Sequence, residues 1–155
     1  MTHAGTQLGD LVLLDEEPFA EGGTAELYRA QKVGGTGPIV CVKLLYAQLS
    51  QDERVVSSLA EEADLAVRLR HPNVVRVHRM GEHEGRYFLV MELVDGPDLD
   101  TLVAQHGPLA PDLVAYVGAS LARALVYIHH KTRAVPPSST STSRRTTCSW
   151  TAAAP

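Results

Sequence analysis

Lys43 is a cation inside an otherwise apolar run, Val40-Cys41-Val42-Lys43-Leu44-Leu45. Side chains alternate along a strand, so Val42 and Leu44 share one face while Cys41 and Lys43 share the other. Such a lysine is either an edge-strand residue facing water or an ammonium aimed into a cleft, where it needs an anion. Further on, Glu61-Glu62 lies in a segment with near-helical apolar spacing at Val55, Leu59, Ala66 and Leu69. Glutamates on a helix usually form a solvated face. Glu62 nevertheless falls between Leu59 and Leu65 on the apolar stripe, and a carboxylate there wants a cationic partner. Lys43 is the obvious candidate.

Two further segments could do chemistry. Phe19-Ala20-Glu21-Gly22-Gly23-Thr24-Ala25-Glu26-Leu27 is a glycine-bearing link between two strand-like stretches. Without side-chain obstruction, backbone amides there can approach phosphate oxygens. The same pair of glycines also suits an ordinary turn. A dinucleotide-binding loop is excluded, because it needs a helix next and a strand follows. Met91-Glu92-Leu93-Val94-Asp95-Gly96-Pro97-Asp98-Leu99 reads as a strand end, a Gly-Pro turn and a helix start.

The elements that must position these residues follow from the punctuation. Leu11–Phe19, Ala25–Lys32 and Ile39–Tyr46 read as three strands, with Val33–Pro38 as a hairpin connection. Ser50-Gln51-Asp52-Glu53 has the pattern of a capping box opening a helix that runs to Arg70. His71-Pro72-Asn73 stops it, since proline disfavours helical geometry in the preceding residue. Val74–Met80 and Arg86–Leu93 read as two more strands joined by Gly81–Gly85. A second helix is predicted from about Asp98 to Gln105. A third starts at Pro111, a favoured first-turn residue, and ends near His130 with Val117, Leu121, Leu125 and Ile128 as its stripe. The class is α+β: a five-stranded antiparallel sheet with one packed helix, then the start of a helical part.

Composition narrows the function classes. The chain has 155 residues, 45% hydrophobic and 21% charged, and a net charge of -4. That is globular composition, and it disfavours a nucleic-acid binder living on phosphate contacts. No uninterrupted apolar run approaches the roughly 20 residues of a membrane span. Cys41 and Cys148 give neither a disulfide framework nor a paired metal motif, so a cytoplasmic location is expected.

Taken in order, the segments resemble the N-terminal lobe of protein kinases of the bacterial Ser/Thr type, over about residues 8–131. The family's three loop glycines fall on Ala20, Gly22 and Ala25, so two of them are alanine here. Lys43 stands where the family's strand lysine binds the α- and β-phosphates of ATP, and Glu62 where a helix glutamate pairs with that lysine. The resemblance makes these two the catalytic residues present. It makes Phe19 to Leu27 the lid over ATP, with Cys41 replacing the usual alanine beneath adenine. Met91 matches the gatekeeper, Glu92 to Val94 the adenine-binding hinge, and Asp98 the ribose contact. His71-Pro72-Asn73 follows Glu62 at the family's spacing. Tyr127-Ile128-His129 is similar to the end of the helix before the catalytic loop. The implied layout is an extension over 1–10, an N-lobe over 11–95, the start of a C-lobe over 96–133 and a tail over 134–155. The implied reaction moves the γ-phosphate of ATP to a protein Ser/Thr hydroxyl, with Mg²⁺ as the family's metal.

Half of that chemistry is missing from the written chain. No H-R-D-x-x-x-x-N follows His129 and no D-F-G follows anywhere, so the family's catalytic aspartate and both Mg²⁺-holding residues are absent. Residues 134–155 are rich in Ser and Thr without apolar periodicity, and read as disordered. Back-translated with suitable codons and read one nucleotide out of register, Ser138–Ala153 becomes L-V-H-L-D-V-S-P-D-N-V-L-L-D-R-R. That contains the H-x-D-x-x-x-x-N pattern where the family places it, which points to an out-of-frame tail. The expectation is an ATP-binding part of a Ser/Thr kinase, inactive by itself. The alternatives are a non-catalytic nucleotide-binding or interaction module, and a fragment that does not accumulate.

Overall fold

The computed structural model describes residues 4–133. The segment read as a disordered, out-of-frame tail lies outside the described residues. The strands are β1 (Gln7–Leu8), β2 (Leu11–Leu13), β3 (Ala20–Glu21), β4 (Ala25–Lys32), β5 (Val40–Leu45), β6 (Val77–His83) and β7 (Arg86–Glu92). The helices are α1 (Glu53–Ala66), α2 (Leu99–His106) and α3 (Pro111–Arg133). The sheet runs β1-β2-β4-β5-β7-β6, antiparallel throughout, with β3 also on β4.

The α+β architecture is as expected, but the first predicted strand is broken. β2 pairs with the far end of β4, Leu13 opposite Ala30, while β3 pairs with its near end, Ala20 opposite Leu27. Between them the Asp15 carboxylate accepts the Arg29 backbone N–H at 2.7 Å, and Pro18 has no N–H for a ladder. The break makes six strands of the expected five, and β1, in the segment expected to be an extension, makes the seventh. Leu8, placed by the sequence in an extension, is buried in the core beside Leu11.

β5 is central because it can bury both faces. Val42 and Leu44 join Leu13, Tyr28, Ala30, Phe88 and Val90 in one core. On the opposite face Leu45 and Leu89 meet Leu59 and Ala63 of α1, with Val55, Val56, Met80 and Met91 packed around them. A one-residue slip of β5 would exchange these faces, so burial fixes the register that aims Lys43 at α1. β6 and β7 are joined by a two-residue turn, with φ of 50° at Glu84 and 76° at Gly85. Both values are left-handed, as the tight hairpin requires. Gly81 to His83, expected in the connection, belong to β6 instead.

α1 starts later than the capping-box reading placed it. Asp52 is the N-cap, accepting from Arg54 N–H at 2.9 Å. Ser50 is buried in a preceding short turn, Leu49–Gln51, where its hydroxyl donates to the Tyr46 carbonyl and accepts from Tyr87 N–H. A serine with two partners in the core is not free to cap. α2 is capped by Asp98, which accepts Thr101 N–H at 2.7 Å. α3 turns Val117, Ser120, Ala124, Tyr127 and Ile128 inward, and leaves Leu121 and Leu125 exposed at 59% and 57%. The expected stripe was thus a neighbouring face of the same helix. By length and composition alone α3 could cross a membrane, its apolar residues being interrupted by only a few polar ones.

Candidate functional site

The cleft between β5, the β3–β4 hairpin and α1 has a volume of about 310 Å³. Strand alternation sends Lys43 and Leu45 into it from β5. Thr24 and Ala25 roof it from the hairpin, and Arg54, Val55, Ser58, Leu59 and Glu62 close it from α1. Lys43 and Glu62 therefore reach one cleft from different elements. They do not close into an ion pair: among the described residues the paired carboxylates are Asp10, Asp15 and Glu26. Glu62 is exposed, not buried on the apolar stripe, because Leu59 and Ala63 take the inward positions on α1. Its charge stays solvated, so no partner is forced on it.

The glycine-bearing hairpin is tight. Gly22 N–H donates to the Ala25 carbonyl at 2.9 Å. Gly22 and Gly23 do not take left-handed backbone here, and a Cβ at Gly23 would meet open space. Their small size clears the approach to the backbone rather than permitting the turn. Phe19, Ala20 and Glu21 are exposed at its rim. Leu27 is paired with Lys43 across β4 and β5, on the cleft side. Glu26 is not: its carboxylate pairs with Arg86 at 3.1 Å, and its strand position matches Leu44 on the opposite face. Its side chain faces away from the cleft, so what the expected lid draws from this residue is its backbone.

Cys41 and Met91 are cross-strand partners two residues along the ladder from Lys43 and Leu89, on the same face. Burial pushes the Cys41 thiol up from its ordinary value, so it acts as a small apolar floor. After β7 the chain leaves the sheet. Glu92 N–H donates to the Arg76 carbonyl at 2.9 Å, while Val94 is exposed and its N–H meets no acceptor among the described residues. Asp98, expected at a ribose, spends its carboxylate on the cap of α2. The Thr101 hydrogen bonds hold that carboxyl below its usual range.

Sequence reasoning missed Arg54 and Ser58. Their signal was a spacing of four along α1, Arg54, Ser58, Glu62, which puts all three on one helix face. It also missed the join between α3 and the segment that follows α1. There the Tyr127 hydroxyl accepts Arg70 N–H at 2.8 Å, and its ring lies 5.1 Å from that of His71.

A curled antiparallel sheet with one helix across its open face, leading through an exposed linker into helices, is the architecture of a kinase N-lobe and the start of a C-lobe. The chain belongs to the protein kinase family, whose Protein kinase domain matches residues 15–134. α3 lies inside that match and is part of the domain. The chain is 35% identical to the serine/threonine-protein kinase PkaA of Streptomyces coelicolor and 38% identical to PknH of Mycobacterium tuberculosis. The alignments cover 74% and 72% of this chain, but only 23% and 18% of those relatives. Among solved structures, the M. tuberculosis PknI kinase domain superposes with a TM-score of 0.71 at 25% identity. That match covers 83% of this chain and 52% of that one. Rad53 solved with AMP-PNP gives a TM-score of 0.67 at 28% identity over 79% of this chain and 31% of that one. The chain thus spans about a fifth of the curated relatives and half of a solved kinase domain.

Proposed function

We propose that this chain is the ATP-binding part of a serine/threonine protein kinase and that, as written, it binds nucleotide without transferring phosphate. The observation that carries the reading is the shared cleft of Lys43 and Glu62 beneath Thr24 and Ala25. In this reading the Lys43 ammonium meets the α- and β-phosphates and the hairpin covers them, while Glu62 orients Lys43 only when α1 moves in, a step of the complete enzyme and not of nucleotide binding by this chain. Adenine lies against Leu27 and Cys41, next to Met91, with its edge on the backbone of Glu92 to Val94. Phosphoryl transfer asks mainly for positioning and charge neutralisation, and these groups supply the donor half. Mg²⁺ would travel with the ATP. The described residues offer no cluster of three metal-ligating side chains, so no step is assigned through it. A cytoplasmic location, with a protein hydroxyl as the ultimate acceptor in the complete enzyme, belongs to the same proposal.

The test is to incubate the purified 155-residue chain with Mg-ATP and a generic protein substrate, and to measure nucleotide binding alongside. Saturable ATP binding without phosphate transfer is expected. Transfer by this chain would overturn the inactivity. Absence of any nucleotide binding would overturn the assignment of the cleft.

A further inference from the structure

Tyr46 follows β5 directly and stands outside the ring of residues lining the cleft. It nonetheless holds the hairpin at two points. Its backbone N–H donates to the Thr24 carbonyl at 3.1 Å, and its phenol O–H donates to the Gly22 carbonyl at 3.2 Å. Tyr46 is itself anchored, because its carbonyl accepts from Leu49 N–H, Ser50 N–H and the Ser50 hydroxyl. That turn leads straight into α1, so the hairpin and the root of the helix share one fixed residue.

The phenol bond has a consequence for the next peptide group. A trans peptide points its carbonyl and its N–H in opposite directions. With the Gly22 carbonyl turned to Tyr46, the Gly23 N–H is turned away from it. No acceptor among the described residues takes that N–H, and Thr24, the next residue, lines the cleft.

We infer that Tyr46 is a positioning residue which, through the Gly22 carbonyl, presents the Gly23 N–H to a phosphate oxygen in the cleft. The inference rests on the nucleotide-binding reading and adds a residue to it. Tyr46 touches no nucleotide, and its effect is confined to the phosphate end of the ligand.

The experiment titrates the full chain and its Tyr46→Phe variant with ATP and with adenosine. Phe keeps the ring and loses only the hydroxyl. ATP binding should weaken by roughly three- to tenfold, the worth of one modest hydrogen bond, while adenosine stays within a factor of about two. An equal loss for both ligands would mean that the lobe had merely loosened, and would overturn the inference. Unchanged ATP binding would overturn it as well. A second measurement needs no variant: inorganic tripolyphosphate added to the unsubstituted chain should shift the Gly23 amide resonance. A Gly23 amide that does not respond at saturating tripolyphosphate overturns the inference. An unsubstituted chain that binds neither ATP nor adenosine defeats the nucleotide reading itself and the inference with it. That outcome is distinct from a variant that binds like its parent.

Discussion

Lys43→Met and Glu62→Gln should have unequal consequences in this chain, although the family's logic couples the two residues. Lys43 is half-buried in the cleft and Glu62 is exposed across from it, with no ion pair between them. A charge-assisted hydrogen bond from an ammonium to phosphate contributes about 1.5–3 kcal/mol. Its loss in Lys43→Met should weaken ATP binding by roughly 10- to 150-fold. Met retains an apolar stem of similar length over Leu45, so unfolding without ligand should change by less than about 0.5 kcal/mol. Glu62→Gln removes a charge that no cation holds, and should alter ATP affinity by no more than about threefold. Closing the pair would require α1 to slide across a cleft of about 310 Å³, against the contacts of Leu59 and Ala63 with Leu45 and Leu89. Isothermal titration with ATP, beside thermal unfolding of each apo variant, separates these effects. Unchanged ATP affinity in Lys43→Met would make Lys43 an ordinary strand lysine. A loss in Glu62→Gln matching that of Lys43→Met would show that nucleotide closes the pair, refuting the open arrangement as the binding state.

Gly81→Ala should destabilise the lobe by about 1–3 kcal/mol in urea unfolding, because its Cβ would lie 2.4 Å from the Phe88 ring, which is 1% exposed. Pairing it with Phe88→Leu should cost less than the sum of the two, and strict additivity would contradict the contact. Asp15 feels burial, which raises its carboxyl, but the Arg29 side-chain and backbone hydrogen bonds together outweigh this and hold it below 3.8. Its stabilising contribution is therefore complete above that value and lost as pH falls through the lower, folded one. The stability gap between the parent and Asp15→Asn should stay constant from pH 5 to 7 and shrink below about pH 4, as read by thermal unfolding. Amide exchange across residues 111–130 should be rapid relative to β5, and solubility should improve when everything after Gly107 is deleted. Slow exchange throughout α3 in a monomer would show that another part of the chain covers it.

The sheet was readable because burial and alternation agree in it. Val42 and Leu44 inward, with Cys41 and Lys43 opposite, is a two-residue period that has only one packed solution once α1 covers the second face. The helix ends were read less well. The capping-box pattern at Ser50 competes with an Asp cap two residues later, and only the core contacts of Ser50 with Tyr46 and Tyr87 decide between them. The break between β2 and β3 depends on the Asp15–Arg29 contact, which joins residues far apart in sequence. Glu62 was placed on the right element and in the right cleft, but its burial was misjudged. The spacing from Leu59 and Leu65 allows either an inward or a flanking position, and Ala63 took the inward one. Asp98 and Glu26 each have a partner that the sequence reading did not supply. For Asp98 it is the N–H of Thr101, three residues on in the helix it caps; for Glu26 it is the guanidinium of Arg86, sixty residues away in sequence and brought near by the sheet.

The rotated face of α3 separates two parts of this molecule that the sequence runs together. Every residue assigned to nucleotide lies between Phe19 and Asp98, and most of them sit on or beside a sheet with cores on both faces. Among the described residues α3 has no comparable cover. On its buried side it carries small residues, Ser120 and Ala124, and it is held by Tyr127 against Arg70 and His71. Its larger residues, Leu113, Val114, Tyr116, Leu121, Leu125 and Val126, are all more than two-fifths exposed. An inward face of small side chains permits close approach, while an outward face of large ones demands a second layer. The lobe can therefore hold its cleft in shape without that layer, whereas α3 cannot bury its outer face without it. If so, nucleotide binding and the order of α3 are separable properties of this chain. Ligands in the cleft should leave the exposure of Leu121 and Leu125 unchanged, because no residue lining the cleft belongs to α3.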